Sequence, residues 1–179
     1  STVTLQFSEA VASFSSSADI TVENGSLATM TSSDNITWTG TFTPTSDVED
    51  ATNVLTLATT YTDTAGNAPA STSTTDNYTV DTTAATVVAF TLSDSALKID
   101  DTATVTLQFS EAVAGFSSDA DVTVQNGSLA TMTSSDNITW TGTFTPSSDV
   151  EDATNVMSLA TSYTDTAGNA GPSATTDNY

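Results

Sequence analysis

The chain is expected to be all-β, two tandem β-sandwich domains of about seven strands each, and three observations in its sequence carry that reading. Apolar and polar residues alternate with period two almost throughout, as in strands that bury one face and wet the other. Turn signals fall at strand-length intervals, at Asn126-Gly127 and over 134–137, 146–149 and 165–169. The sequence also occurs twice: VTLQF at 3–7 returns at 105–109, and the match runs on through NGSLATMTSSDNITWTGTFTP, SDVEDATNV and YTDTAGNA. A period near a hundred residues suits an independently folding domain and is too long for a solenoid or propeller blade.

In the second copy the strands are expected over 86–92, 103–109, 120–125, 129–133, 137–145, 156–164 and 174–179. The second strand reads Val105-Thr106-Leu107-Gln108-Phe109, apolar at every other position. The third stops at Asn126-Gly127, and the fourth at the 134–137 turn. The fifth places Ile138, Trp140, Gly142 and Phe144 on one face and only threonines on the other. The sixth lies between the turns at 146–149 and 165–169, and the seventh closes the copy. Richness in Thr and Val agrees with strands, and no window shows a helical stripe. Seven short strands in about a hundred residues is the count of an immunoglobulin-like sandwich.

The expected core is Phe90, Val105, Leu107, Phe109, Trp140, Phe144 and Leu159, mirrored in the first copy by Val3, Leu5, Phe7, Trp38, Phe42 and Leu57. The domains are expected over 1–80 and 81–179. Ser1 aligns with Ala103, so the first is read as lacking its first strand. The connection 78–86 has neither Gly nor Pro and is expected to run extended.

Charge narrows the function. One lysine and no arginine stand against 22 acidic residues, for a net charge of −21. Without a basic patch to neutralise phosphates, nucleic acid is excluded as a partner and anionic membrane surfaces are disfavoured. Uncompensated carboxylates loosen a compact state unless salt screens them or cations bind. With no Cys and no His, disulfides, thiolate metal sites and His-dependent nucleophile systems drop out, and no enzyme is expected. No run reaches the length of a membrane span, so no direct membrane insertion is expected. Lys98, the only lysine, is expected to ease acidic repulsion in its loop rather than to form a cross-link.

The segments LKIDDTATVTLQFSEAV (97–113), the NGSL hairpin (126–129), WTGTFTP (140–146), DVEDATN (149–155), YTDTAGNAG (163–171) and NYTVDTTAA (77–85) carry a resemblance. In order and spacing the chain resembles the bacterial Ig-like tandem repeats that serve as extender domains of giant RTX-type surface adhesins. The resemblance implies a secreted, extracellular stalk on the bacterial cell surface. It would work in cell adhesion and biofilm growth, projecting a terminal domain that binds a host or surface ligand elsewhere in the full protein. Its partners would be neighbouring repeats of the same chain. Where the family commonly has Pro, this chain has Ala85 and Ala112. The alternative is an Ig-like module that binds a glycan or protein through its own loops.

The resemblance also implies Ca²⁺ between domains, an ion held by six to eight oxygens. In a seven-stranded sandwich the B–C and F–G loops share the end at which the chain enters. In the second copy they carry Glu111 and Asp165, and the linker carries Asp81. These three are the expected heart of an interdomain metal site, with Asp47, Glu49 and Asp50 of the first copy's E–F loop as further candidates. Glu9 and Asp63 are the first copy's equivalents of Glu111 and Asp165. The plainer alternative is that all these acids are solvated loop residues.

Overall fold

Every second residue of the longest apolar segments faces inward, so the chain extends and pairs. The computed structural model describes all 179 residues and is almost entirely strand and turn. It divides into two units, Ser1–Thr83 and Ala84–Tyr179. The first contains β1 (Thr2–Gln6), β2 (Val11–Ala12), α1 (Ser16–Asp19), β3 (Ile20–Val22), β4 (Gly25–Leu27), β5 (Thr37–Pro44), β6 (Glu49–Asn53), β7 (Leu55–Leu57), β8 (Thr62–Asp63), β9 (Ser73–Thr74) and β10 (Tyr78–Asp81). The second contains β11 (Val87–Leu92), β12 (Ala103–Phe109), β13 (Val113–Ala114), α2 (Ser118–Asp121), β14 (Val122–Val124), β15 (Gly127–Leu129), β16 (Thr139–Pro146), β17 (Met157–Leu159), β18 (Thr164–Asp165) and β19 (Ala174–Thr175).

In the second unit a four-stranded sheet, β11-β12-β16-β15, and a three-stranded sheet, β14-β17-β19, enclose one core. All pairings are antiparallel. This is the A-B-E-D and C-F-G strand order of an immunoglobulin constant-type sandwich. The first unit has the sheets β1-β5-β4 and β3-β7-β9, with the pairs β2-β8 and β10-β6 beside them.

The expected core residues of the second unit take their places. Val105 and Leu107 are fully buried, Phe109 and Phe144 are 1% exposed, and Phe90 and Leu159 are buried. Trp140 packs at the margin of this core. Tyr163, Met157, Met132 and Phe116 complete it, although strand alternation does not single them out. Phe116 stands edge-on to Trp140 at 4.9 Å, and Phe109 meets Tyr163 at 5.1 Å. The B–C loop thus plugs the sandwich end with an aromatic ring.

Four sequence expectations change. Asn126-Gly127 is not a hairpin: it carries the chain from one sheet to the other, β14 pairing with β17 and β15 with β16. Gly127 is needed there because a Cβ would lie 2.2 Å from the Phe144 ring. Residues 118–121 form one helical turn, with α1 its counterpart. The buried Asp121 accepts the Ser117 N–H at 2.8 Å and closes it. A single turn is too short to leave a periodic stripe. The sixth strand keeps only Met157–Leu159, because Thr164–Asp165 leaves to pair with β13. Finally, the start of the presumed linker is strand: Tyr78–Asp81 pairs with β6, and Val80 is 4% exposed.

Phe109→Ala should cost about 3–5 kcal/mol, the range for emptying a fully packed aromatic site. Urea unfolding followed by tryptophan fluorescence would measure it.

Candidate functional site

The YTDTAGN segment builds a turn around one carboxylate. Asp165 Oδ1 accepts the backbone N–H groups of Gly168 at 2.7 Å and Asn169 at 2.9 Å, while Oδ2 accepts the Asn169 side-chain amide at 2.7 Å. Gly168 has φ +99°, a conformation that glycine adopts without strain. Asp165 is 1% exposed. Burial pushes its pKa up, but the donors of Asn169, Gly168 and Ala167 outweigh it and hold the carboxyl below its ordinary value. In the first unit Asp63 caps the equivalent turn through Ala65 and Asn67, and its pKa is lowered chiefly by the Asn67 side chain.

Strand pairing brings a second acid to this turn. Val113 lies opposite Asp165 in the β13–β18 pair, so Glu111, two residues earlier, enters the same region. Carboxylate oxygens of Glu111 and Asp165 lie within 4.8 Å of each other, Glu111 half-buried and Asp165 buried. Both donors are hard oxygens, which suits Ca²⁺ or Mg²⁺ and not a soft metal. Asp81, half-buried, ends β10 of the first unit.

The other sequence candidates all lie in the first unit. Glu9 and Asp63 stand where Glu111 and Asp165 stand in the second copy, Val11 facing Asp63 in the β2–β8 pair. Asp47 sits at φ +57° in the turn before β6, and Glu49 lies opposite Asp81 in the β6–β10 ladder. Asp50 serves its own loop, accepting the Thr52 N–H at 2.9 Å and the Asn24 side-chain amide at 2.8 Å. These donors, the Thr52 N–H first, keep its pKa low. Asp101 is paired with Lys98 at 2.9 Å, so the lysine eases local acidity as its loop position suggested.

Sequence reasoning passed over a second set of acids. Asp19 and Asp121 are 4% exposed, and Asp121 also accepts a hydrogen bond from the Ser162 hydroxyl. Their only sequence signal is an Ala-Asp pair just ahead of a strand. Beside Asp121 lies Tyr163, whose hydroxyl donates to the Pro172 carbonyl at 2.7 Å. Burial first, and then the Asp121 charge, push its pKa up to about 12.

Comparison with known families places both halves of the chain. The sequence model of the family described as bacterial Ig-like domain matches residues 1–80 and again 81–179. No curated protein and no solved structure matches the chain.

Two outcomes follow from these electrostatics. In calcium-free buffer, Asp165→Ala should destabilise the second unit by about 1–3 kcal/mol, because buried N–H donors lose their acceptor. Asp63→Ala should cost the first unit less, since its turn is more exposed. Thermal melts that resolve the two transitions would check both. The raised pKa of Tyr163 favours the neutral, folded form. Its stabilisation is complete below pH 10 and is lost as pH rises toward about 12. Phenolate absorbance in an alkaline titration should show one late-ionising tyrosine, absent in Tyr163→Phe.

Proposed function

Because the chain belongs to the bacterial Ig-like domain family through both of its halves, we propose that it is a stalk segment of a secreted bacterial surface adhesin. Each repeat extends the chain so that a terminal domain elsewhere in the protein reaches its ligand. The observation that carries the finer reading is the pair Glu111 and Asp165, brought to one end of the second unit by the β13–β18 pairing, and the proposed ion takes Asp81 of the adjoining segment as its third carboxylate. Three carboxylates supply part of the six to eight oxygens that Ca²⁺ requires, and carbonyls and water supply the rest. Asp81 ends the strand β10 of the first unit, so an ion at these residues limits the freedom of the chain segment that follows. Calcium then adds stiffness to a connection that is already extended and glycine-free.

A spacer also accounts for the charge. An array of domains with net charge −21 and no basic patch resists collapse onto its neighbours and stays soluble in a salty exterior. The alternative of a sugar-binding module finds little support. Both tryptophans pack beside Phe14 and Phe116, and the exposed large apolar side chains are the aliphatic Val88, Ile99 and Val150.

Thermal unfolding of the chain at fixed ionic strength, with Ca²⁺ or with EDTA, tests the reading. Extracellular modules bind Ca²⁺ at roughly 10⁻⁴–10⁻³ M. A hundredfold excess over such a constant contributes about 2.7 kcal/mol, or on the order of 11–22 °C for a domain of this size. Asp81→Ala and Glu111→Gln should each remove most of that rise. A melt indifferent to Ca²⁺ would take the ion out of the account and leave the acids as solubilising loop residues.

A further inference from the structure

We propose that each Asn-Gly pair of this protein, Asn24-Gly25 and Asn126-Gly127, is a self-modifying site that the folded domain holds shut and the unfolded domain opens. These are the two places in the chain where glycine follows asparagine. The chemistry needs no partner but water. The Gly127 nitrogen gives its proton to hydroxide and attacks Asn126 Cγ. The Cγ–Nδ2 bond breaks, and Nδ2 takes a proton from water and leaves as ammonia. The succinimide ring so formed adds water at one of its two carbonyls and opens to aspartate or isoaspartate. Glycine eases the attack, because no side chain crowds its nitrogen and its backbone turns freely.

In the folded chain the amide is already held elsewhere. Asn126 Nδ2 donates to Asp152 Oδ2 at 2.9 Å and to Asn155 Oδ1 at 2.6 Å. Asn24 Nδ2 donates to Asp50 Oδ2 at 2.8 Å and to Asn53 Oδ1 at 2.7 Å. In both repeats the acceptors lie 26 and 29 residues further along, so the amide cannot turn back onto its own backbone without breaking both bonds. The backbone is fixed as well. Asn126 O accepts the Ser147 N–H at 2.9 Å, and Gly127 pairs with Pro146 against the Phe144 ring.

The same network cannot hold the product. Asn155 commits its own amide to Asp152 O and Tyr179 O, and Asn53 commits its amide to Asp50 O and Tyr78 O. After the reaction a carboxylate faces the Asp152 carboxylate and Asn155 Oδ1, three acceptors with no donor among them. Asn155 and Asn53 are buried, so the lost donor leaves an interior acceptor unpaired. Isoaspartate also lengthens the backbone by one methylene and pushes Gly127 against Phe144. A repeat that stays open long enough to react is therefore barred from closing again, while one that stays folded keeps its asparagine.

The 179-residue chain tests this when it is held in mildly alkaline buffer, folded or unfolded in urea, and its peptides are followed by mass spectrometry. Conversion of Asn24 and Asn126 should run at least about tenfold slower in the folded chain, because reaction waits for local opening. Asp152→Ala removes one of the two acceptors at Asn126. It should speed folded-state conversion there about two- to tenfold, the effect of one net hydrogen bond, and leave Asn24 unchanged as the internal control. Asn126→Asp imitates the product directly, since aspartate adopts positive φ as asparagine does. Its second unit should lose at least about tenfold in folding equilibrium while the first unit melts as before, and adding Asp152→Asn should recover part of the loss. If Asn126→Asp does not fold at all, the rate comparison on the parent chain still decides. Equal rates in the folded and unfolded chain overturn the inference. So does an Asp152→Ala chain that converts no faster at Asn126, or an Asn126→Asp second unit as stable as the parent.

Discussion

Twenty-two carboxylates and a single lysine leave this protein almost no ion pairs, and its turns are built around that shortage. The acids are stabilised instead by N–H donors. Asp34 and Asp136 each accept two backbone N–H groups across the DNIT turn, at 2.9 Å in every case. Asp63 and Asp165 do the same for the DTAGN turn, while Asp50 and Asp152 each accept one backbone N–H, with a threonine hydroxyl and an asparagine amide, in the loop before the F strand. In all six the carboxyl is held below its ordinary pKa. The charge that would loosen the fold is used to close its loops. Such caps work only while the groups are ionised, so they tie the loop geometry to a pH above the carboxylate range.

Once the turns are fixed by their own acids, the sandwich ends are fixed with them. The Asp165 turn holds β18 against β13, and β13 carries Glu111 to the same end. The Glu111 and Asp165 pair arises from a structural device already present in each repeat. This explains why Asp63 keeps the capping role in the first unit although its surroundings differ. A residue can cap a turn and offer its remaining lone pairs to a cation, since each carboxylate has about four acceptor sites.

Asparagines take over where carboxylates would only add repulsion. Asn155 donates to Asp152 O at 2.9 Å and Tyr179 O at 3.1 Å, and accepts the Asn126 amide at 2.6 Å. Asn53 repeats these bonds with Asp50, Tyr78 and Asn24. Both are buried, and both tie the C–D crossing, the E–F loop and the last strand together without charge. The asparagine of each Asn-Gly pair is consumed in this network, which is why the pair marks a sheet crossing and not a hairpin.

The alternation of Val105, Leu107 and Phe109 and the duplication at domain length are local properties, written in neighbouring residues. They determined the fold class, the number of domains, most of the core and the loops in which the acids would lie. Contacts between residues far apart in sequence decided the rest. Tyr163 and Met157 become core because their strands turn that way, and no period-two pattern marks them. Glu111 and Asp165 converge through the pairing of Val113 with Asp165, 52 positions on, and no spacing encodes that. The two copies of TVTLQF make the division plain. Identical residues are buried in one and half-exposed in the other, because burial depends on which strand lies alongside and sequence identity alone does not fix it.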